Sequence, residues 1–359
     1  MAERQTMEQI GEKAFLADLL PRLAPHPTFL NGFGDDASAI SIGGDRAVLF
    51  KIDRAAAPVA ARRGWTDYRM WGRLAVTSNC SDLLAGGGAP LAVMIALILP
   101  RDWPASAAVE AIEGCAQECA ANDIAFAGGD TKEGRSAELV GSAIGLVETG
   151  RILTRRAAKP GDLIVLAGPL GGFLGAYLQI VESLDADGAV GDGADDRWLD
   201  YISHPRARWA EGAFIRDAGV ATGAMDTSDG LYEAVATLAG PHGADIRLSE
   251  LPYHEFALAC AAKLDIPPIN LALGVGDWNI VYTIDAQRWE RLGDLPKTLQ
   301  VQVIGAVSER PGLRWHDDAS GVFRCEQIVN QHFKSRQEDE GDMIRRLRTE
   351  RMLRPLDDA

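Results

Sequence analysis

Five short segments set aspartates beside glycines and small residues: Gly32-Phe33-Gly34-Asp35-Asp36, Ile52-Asp53, Asn79-Cys80-Ser81-Asp82-Leu83, Gly128-Gly129-Asp130-Thr131 and Met225-Asp226-Thr227-Ser228-Asp229-Gly230. Singly, each reads as a turn or a helix cap, because Asp and Ser accept hydrogen bonds from free N–H groups there. Together they describe other chemistry. Carboxylates that converge in a fold repel one another unless hard cations neutralise them, and Mg²⁺ prefers oxygen ligands shared with substrate phosphates. A polyphosphate is the natural third party.

Competing devices are absent from the sequence. There is no G-x-x-x-x-G-K-[ST] loop. The Gly168–Gly175 turn follows a strand-like run, but Leu170 stands where a dinucleotide fingerprint needs glycine. No G-x-S-x-G elbow or H-E-x-x-H helix occurs, and the six histidines are scattered. Cys115 and Cys119 lie one helical turn apart without a second ligand pair, which reads as two small core side chains. Five cysteines with no CxxC suit reduced thiols.

The elements that must position the aspartates follow from periodicity. Helices are predicted over 7–23, 67–85, 105–121, 198–218 and 231–239, with one more from the Gly-rich turn to about 184. Strands are predicted over 37–42, 47–52, 91–99, 124–127, 137–147, 163–167, 279–284 and 300–306, and 185–196 reads as a loop. A boundary falls within 151–161. This gives an N-terminal unit, 1–150, a second unit, 151–333, and a charged tail, 334–359, predicted as a solvated helix with Met343, Ile344, Leu347 and Met352 on a narrow apolar stripe.

The chain has 359 residues, 47% of them hydrophobic, and 36 Lys+Arg against 51 Asp+Glu, for a net charge of −15. Disorder is excluded, and nucleic acid or an anionic membrane surface is an unsuitable partner for such an acidic chain. Residues 1–15 carry acidic side chains and no apolar segment of signal-peptide type, so the expected compartment is the cytoplasm. The longest apolar run, 163–181, is interrupted by Pro169 and glycines and reads as strand, turn and helix rather than a membrane span.

With these motifs the chain resembles the thiamine-monophosphate kinases of the AIR synthase-like (PurM-like) superfamily. The resemblance rests on Gly32–Ala37, on the stretch from Leu74 to Pro90, on Gly128–Thr131, on Leu153–Asp162 and on Met225–Leu231, in order over about residues 7–333. It implies an α+β, two-domain fold: an N-terminal α+β domain whose sheet pairs across a homodimer, and a C-terminal α/β domain, with ATP in a cleft. It also implies Mg²⁺ held by Asp36, Asp53, Asp82, Asp130, Asp226 and Asp229. Nucleotide contacts are implied at Gly129, Asp130, Arg155 and Ser228, with Asp130, Asp226 and Arg155 serving catalysis. The activity implied is in-line transfer of the ATP γ-phosphoryl to a small phosphorylated or anionic acceptor.

The acceptor half departs from that pattern. The family's Thr-Asp metal segment is Lys51-Ile52-Asp53 here, and its Gly-x-His-Phe aligns to Pro58-Val59-Ala60-Ala61. Its Gly-Gly-Glu-Asp-Tyr-Glu aligns to Gly274-Val275-Gly276-Asp277-Trp278-Asn279. Arg54, Arg62, Gly276, Asp277 and Trp278 are therefore the candidate acceptor residues, Trp278 by stacking on a planar group. Two other readings stay open: an ATP-dependent synthetase or cyclo-ligase that activates an amide or carboxyl oxygen, and a non-catalytic nucleotide-binding regulator.

Overall fold

The computed structural model describes residues 6–191, 193–325, 346–347 and 352–356. The N-terminal stretch predicted as one helix is broken into α1 (Met7–Ile10) and α2 (Glu12–Leu19). Gly11 between them takes φ 78°, a left-handed conformation that ends one helix before the next begins.

The first sheet contains β1 (Ser38–Gly43), β2 (Arg46–Ala56), β3 (Ala89–Leu99), β4 (Ala125–Glu133) and β5 (Glu138–Glu148), in the order β1-β2-β5-β3-β4. Only β3 and β4 run parallel. The short α3 (Val59–Arg62) follows β2, and α4 (Arg69–Ala85) and α5 (Ala105–Ala121) cover one face. Side chains alternate along a strand. Leu49 and Ala55 of β2 are therefore buried toward the helices, whereas Phe50 and Ile52 stand 45% and 68% exposed on the opposite, uncovered face. Pairing of Ile52 with Ser142 and of Ser142 with Met94 carries that bare face across three strands.

The linker 149–162 leads to β6 (Leu163–Ala167), α6 (Gly172–Glu182), α7 (Asp196–Ser203), α8 (Trp209–Ala218), β7 (Ala221–Asp226), α9 (Leu231–Ala239) and β8 (Gly243–Arg247). Then come α10 (Glu255–Leu264), α11 (Ile269–Ala272), β9 (Ile280–Ile284), α12 (Ala286–Leu292), β10 (Val301–Ser308), β11 (Gly312–Asp317), β12 (Gly321–Cys325) and β13 (Leu353–Pro355). The second sheet has the order β13-β12-β11-β8-β10-β6-β9-β7 and is antiparallel except where β8 meets β11. Its helices bury Leu178, Val235, Leu238 and Ala257 against Ile164, Val281 and Ile304.

Three further expectations change. The helix predicted over 198–218 is split into α7 and α8 because Pro205 lacks an N–H and disfavours helix in the residue before it. The strand predicted over 124–127 runs on through Gly128-Gly129-Asp130-Thr131 to Glu133, so that motif lies within an edge strand and not in a loop after one. Most of the predicted tail helix lies outside the described residues, Met343 and Ile344 included. Within it, 353–355 form a strand on β12, and Leu347 and Met352 are buried in the second core. Among the described residues no helix is long and apolar enough to cross a membrane.

Candidate active site

Helix α4 lies between the two sheets, packing on β2, β3 and β5 of the first and on β7, β9 and α8 of the second. A helix so enclosed would ordinarily be apolar all round. This one buries Thr77, Ser78, Asn79, Ser81 and Asp82. Its partners explain part of that polarity: Thr77 Oγ1 donates to the Pro205 carbonyl at 3.1 Å, and Ser81 Oγ donates to Asp226 Oδ2 at 2.8 Å. Gly141 on β5 lets α4 approach closely, since a Cβ there would meet the Asn79 amide.

Three separate segments deliver carboxylates to one point. Asp82 comes from α4, Asp226 from the last residue of β7, and Asp36 from the loop before β1. An oxygen from each lies within 4.8 Å of the others, and all three residues are buried. The Asp36 loop turns at Gly32 and Gly34, whose φ of 70° and 98° suit glycine. It is clamped from the linker. Arg155 N donates to Asp35 Oδ1 at 2.9 Å, Arg155 Nη2 to Asp36 Oδ1 at 2.5 Å, and Arg156 to the Asn31 and Phe33 carbonyls at 3.2 Å each. The linker is itself docked, because Thr154 bridges Gly223 three residues before Asp226. Asp35 stands in the first motif without an assigned role and Arg156 is not singled out there; the adjacent Asp-Asp and Arg-Arg pairs are the available signal.

The electrostatics show a site short of positive charge. Burial pushes the Asp36 carboxyl up to about 6, against the pull of Arg155. Burial and the neighbouring Asp226 push Asp82 well above the usual carboxylate range, with Lys51 opposing. Lys51 Nζ sits 2.9 Å from Asp82 Oδ2; although burial alone would lower its pKa, Asp82, Asp53 and Asp36 raise it above the ordinary lysine value. Arg155 Nε is buried with no hydrogen-bond partner. Three buried hard-oxygen donors facing only two cations are a donor set that fits Mg²⁺.

The remaining expected residues are spread around this cluster. Asp53 lies on the same face of β2 as Lys51 and accepts from Arg54 N at 2.7 Å. Asp130 is exposed on β4, 3.5 Å from Lys132, and is not one of the three clustered carboxylates. Gly129 pairs with Ile95, and a Cβ at Gly129 would run into the Ile95 carbonyl. Ser228 donates from N and Oγ to Asp226 Oδ1, at 3.2 and 2.7 Å, while Asp229 is exposed in the turn before α9.

On the acceptor side, Arg54 pairs with Glu138 at 3.1 Å and Arg62 is exposed at the end of α3. Ala60 is buried in an apolar cluster with Trp65, Ile180, Ile202 and Phe256. Gly276 takes φ 107° and lies under the Phe173 ring, which a Cβ would overlap. Asp277 accepts from Phe173 N at 3.0 Å at the start of α6, a capping role. Trp278 lines a small pocket with Tyr201, Arg206 and Arg208, and its buried indole N–H has no partner.

Two sheets clasp a carboxylate cluster, the arrangement that the resemblance to the AIR synthase-like, PurM-like superfamily implies. Residues 34–147 match the family described as AIR synthase related protein, N-terminal domain. The thiamine-monophosphate kinase of Pyrococcus horikoshii is 31% identical over 245 residues, covering 67% of this chain and 72% of that one. That of Caulobacter vibrioides is 33% identical over 260 residues, covering 67% and 68%. The chain belongs to the thiamine-monophosphate kinase family. The solved structure of AaThiL complexed with AMPPCP and TMP shares the fold, with TM-score 0.76 and 23% identity over 92% of this chain and 100% of that one.

Proposed function

We propose that the cleft between the sheets binds ATP and transfers its γ-phosphoryl to a small anionic acceptor, thiamine monophosphate being the nearest named one. The observation that carries this reading is the convergence of Asp36, Asp82 and Asp226 from three segments, with Arg155 beside them. The chain is an ATP-dependent kinase of its family, and the solved AaThiL structure complexed with AMPPCP and TMP supports binding of a nucleotide and a small acceptor. Asp36, Asp82 and Asp226 would hold Mg²⁺, with Asp53, Asp130 and Asp229 as further ligands by resemblance. The metal would neutralise the triphosphate and polarise its oxygens. Arg155 would offer its planar donor fork to a phosphate oxygen. An acceptor phosphate oxygen attacks the γ-phosphorus in line, the bond to the β–γ bridging oxygen breaks, and ADP leaves with that electron pair. Such a nucleophile is already ionised, so positioning and charge neutralisation supply the rate without a general base.

The acceptor contacts differ from the family pattern in kind. Ala60 is enclosed by apolar side chains and Gly276 is covered by Phe173, which supports an acceptor held by other groups than the family's His and Glu. The bare apolar face of the first sheet, with Phe50, Ile52 and Met94 exposed, supports homodimerisation through that sheet. A cytoplasmic location agrees with the reduced cysteines.

The test is incubation with γ-labelled ATP, Mg²⁺ and a panel of monophosphate acceptors including thiamine monophosphate. Label is expected on an acceptor. Release of inorganic phosphate alone, with every acceptor unlabelled, would overturn the kinase reading.

A further inference from the structure

Lys51 is the one residue of the cluster that supplies positive charge from within the first sheet. Strand alternation places Lys51 and Asp53 on the face of β2 that meets α4, and Asp82 is on that helix. The Lys51 ammonium lies 2.9 Å from Asp82 Oδ2, its side chain only 23% exposed, and Asp53 and Asp36 add their attraction. The pairing is enclosed and not a surface contact.

A divalent ion bound through Asp82 Oδ2 would need the same lone pairs. It would also sit a few ångströms from a fixed positive charge, where repulsion is large in a site with little water. With all three clustered carboxylates ionised, as ligands to a cation are, Arg155 on Asp36 and Lys51 on Asp82 leave them one net negative charge. With a neutral residue at 51 they would keep two.

We propose that Lys51 is a resident cation of this site, standing where the cluster would otherwise take a divalent ion, so that the chain holds one fewer divalent ion than it would with a neutral residue at 51. This rests on the metal-binding part of the proposed function. It sets the protein's metal requirement by charge: an ammonium neutralises Asp82 but offers no open coordination position to a phosphate.

The experiment counts Mn²⁺ bound per chain at saturation from the EPR signal of free Mn²⁺, with and without AMPPCP. The proteins are the parent, Lys51→Thr, Lys51→Gln and Lys51→Arg. The two neutral variants are expected to bind one more Mn²⁺ per chain than the parent, and Lys51→Arg the same number as the parent. Equal, non-zero counts in the parent and the neutral variants overturn the proposal while leaving the metal reading intact. No Mn²⁺ on any of them overturns both. A second measurement needs only the parent protein: acetylation by acetic anhydride, read by mass spectrometry. Lys51 is expected to stay protected when Mn²⁺ is saturating. Lys51 that becomes reactive on Mn²⁺ loading has been displaced by the ion, and the proposal fails.

Discussion

Ser81 on α4 donates its hydroxyl to Asp226 at the end of β7 at 2.8 Å, a bond that ties the helix to the second sheet at the carboxylate cluster. It occupies one oxygen of Asp226 while Ser228 occupies the other. The pair orients the carboxylate that the proposed metal site needs.

Ser81→Ala removes a donor from a buried carboxylate, a change of about 1–3 kcal/mol. Phosphoryl transfer is expected to fall roughly tenfold or more for a loss of that size, with the apparent Mg²⁺ requirement raised and the fold kept by circular dichroism. Unchanged Mg²⁺ dependence in steady-state assays would contradict the orienting role.

Arg155→Ala leaves the buried Asp36 without its partner and frees the loop from the linker. The expected loss of stability is about 3 kcal/mol, as for breaking a buried ion pair. Mg²⁺ is expected to restore part of it by neutralising Asp36. Arg155→Lys keeps the charge but not the two-pronged fork, so it is expected to recover stability more than turnover. Urea titrations with and without Mg²⁺, beside turnover rates, check both statements.

Asp245 on β8 accepts from Arg314 Nε at 2.7 Å and from His316 Nε2 at 2.8 Å across the parallel β8–β11 pair. Burial raises the carboxyl pKa, but these hydrogen bonds more than reverse it, to about 2. An unfolded Asp titrates near 3.9, so the stabilisation is complete above about pH 4 and is lost as pH falls toward about 2. Asp245→Asn is expected to lower the urea midpoint at neutral pH, with the gap from the parent shrinking below about pH 4. Because the side chain is 38% exposed, solvent screening limits the effect to roughly 1 kcal/mol. A gap that does not change with pH would contradict this account.

Leu347 and Met352 come from the segment beyond the family resemblance, yet both are 3% exposed in the second core, and Asn270 Nδ2 donates to the Leu347 carbonyl at 3.0 Å. Leu347→Ala is expected to cost about 2–5 kcal/mol, as for a core leucine. Thermal unfolding measures it; a shift within error would show that the segment is not anchored.

The aspartate and glycine motifs were legible because the chemistry they serve restricts residue type within a few positions. Gly32 and Gly34 must turn with positive φ, and Asp226-Thr227-Ser228 bonds within itself. Most strands were legible too, since burial of one face imposes its period on β2 and β5. The helix interruptions at Gly11 and Pro205 were visible as residues but masked by apolar spacing that continued across them. The sequence by itself singled out six aspartates as candidates and located the departures from the family's acceptor pattern at Ala60 and Gly276. Tertiary structure alone decided that Asp36, Asp82 and Asp226 meet while Asp130 stands apart on an edge strand, and that Lys51 points at Asp82. The reason is that those relationships join residues up to 190 positions apart. Strand register, the enclosure of α4 between two sheets and the docking of Thr154 beside Gly223 set them, and none of these is a local property of the chain.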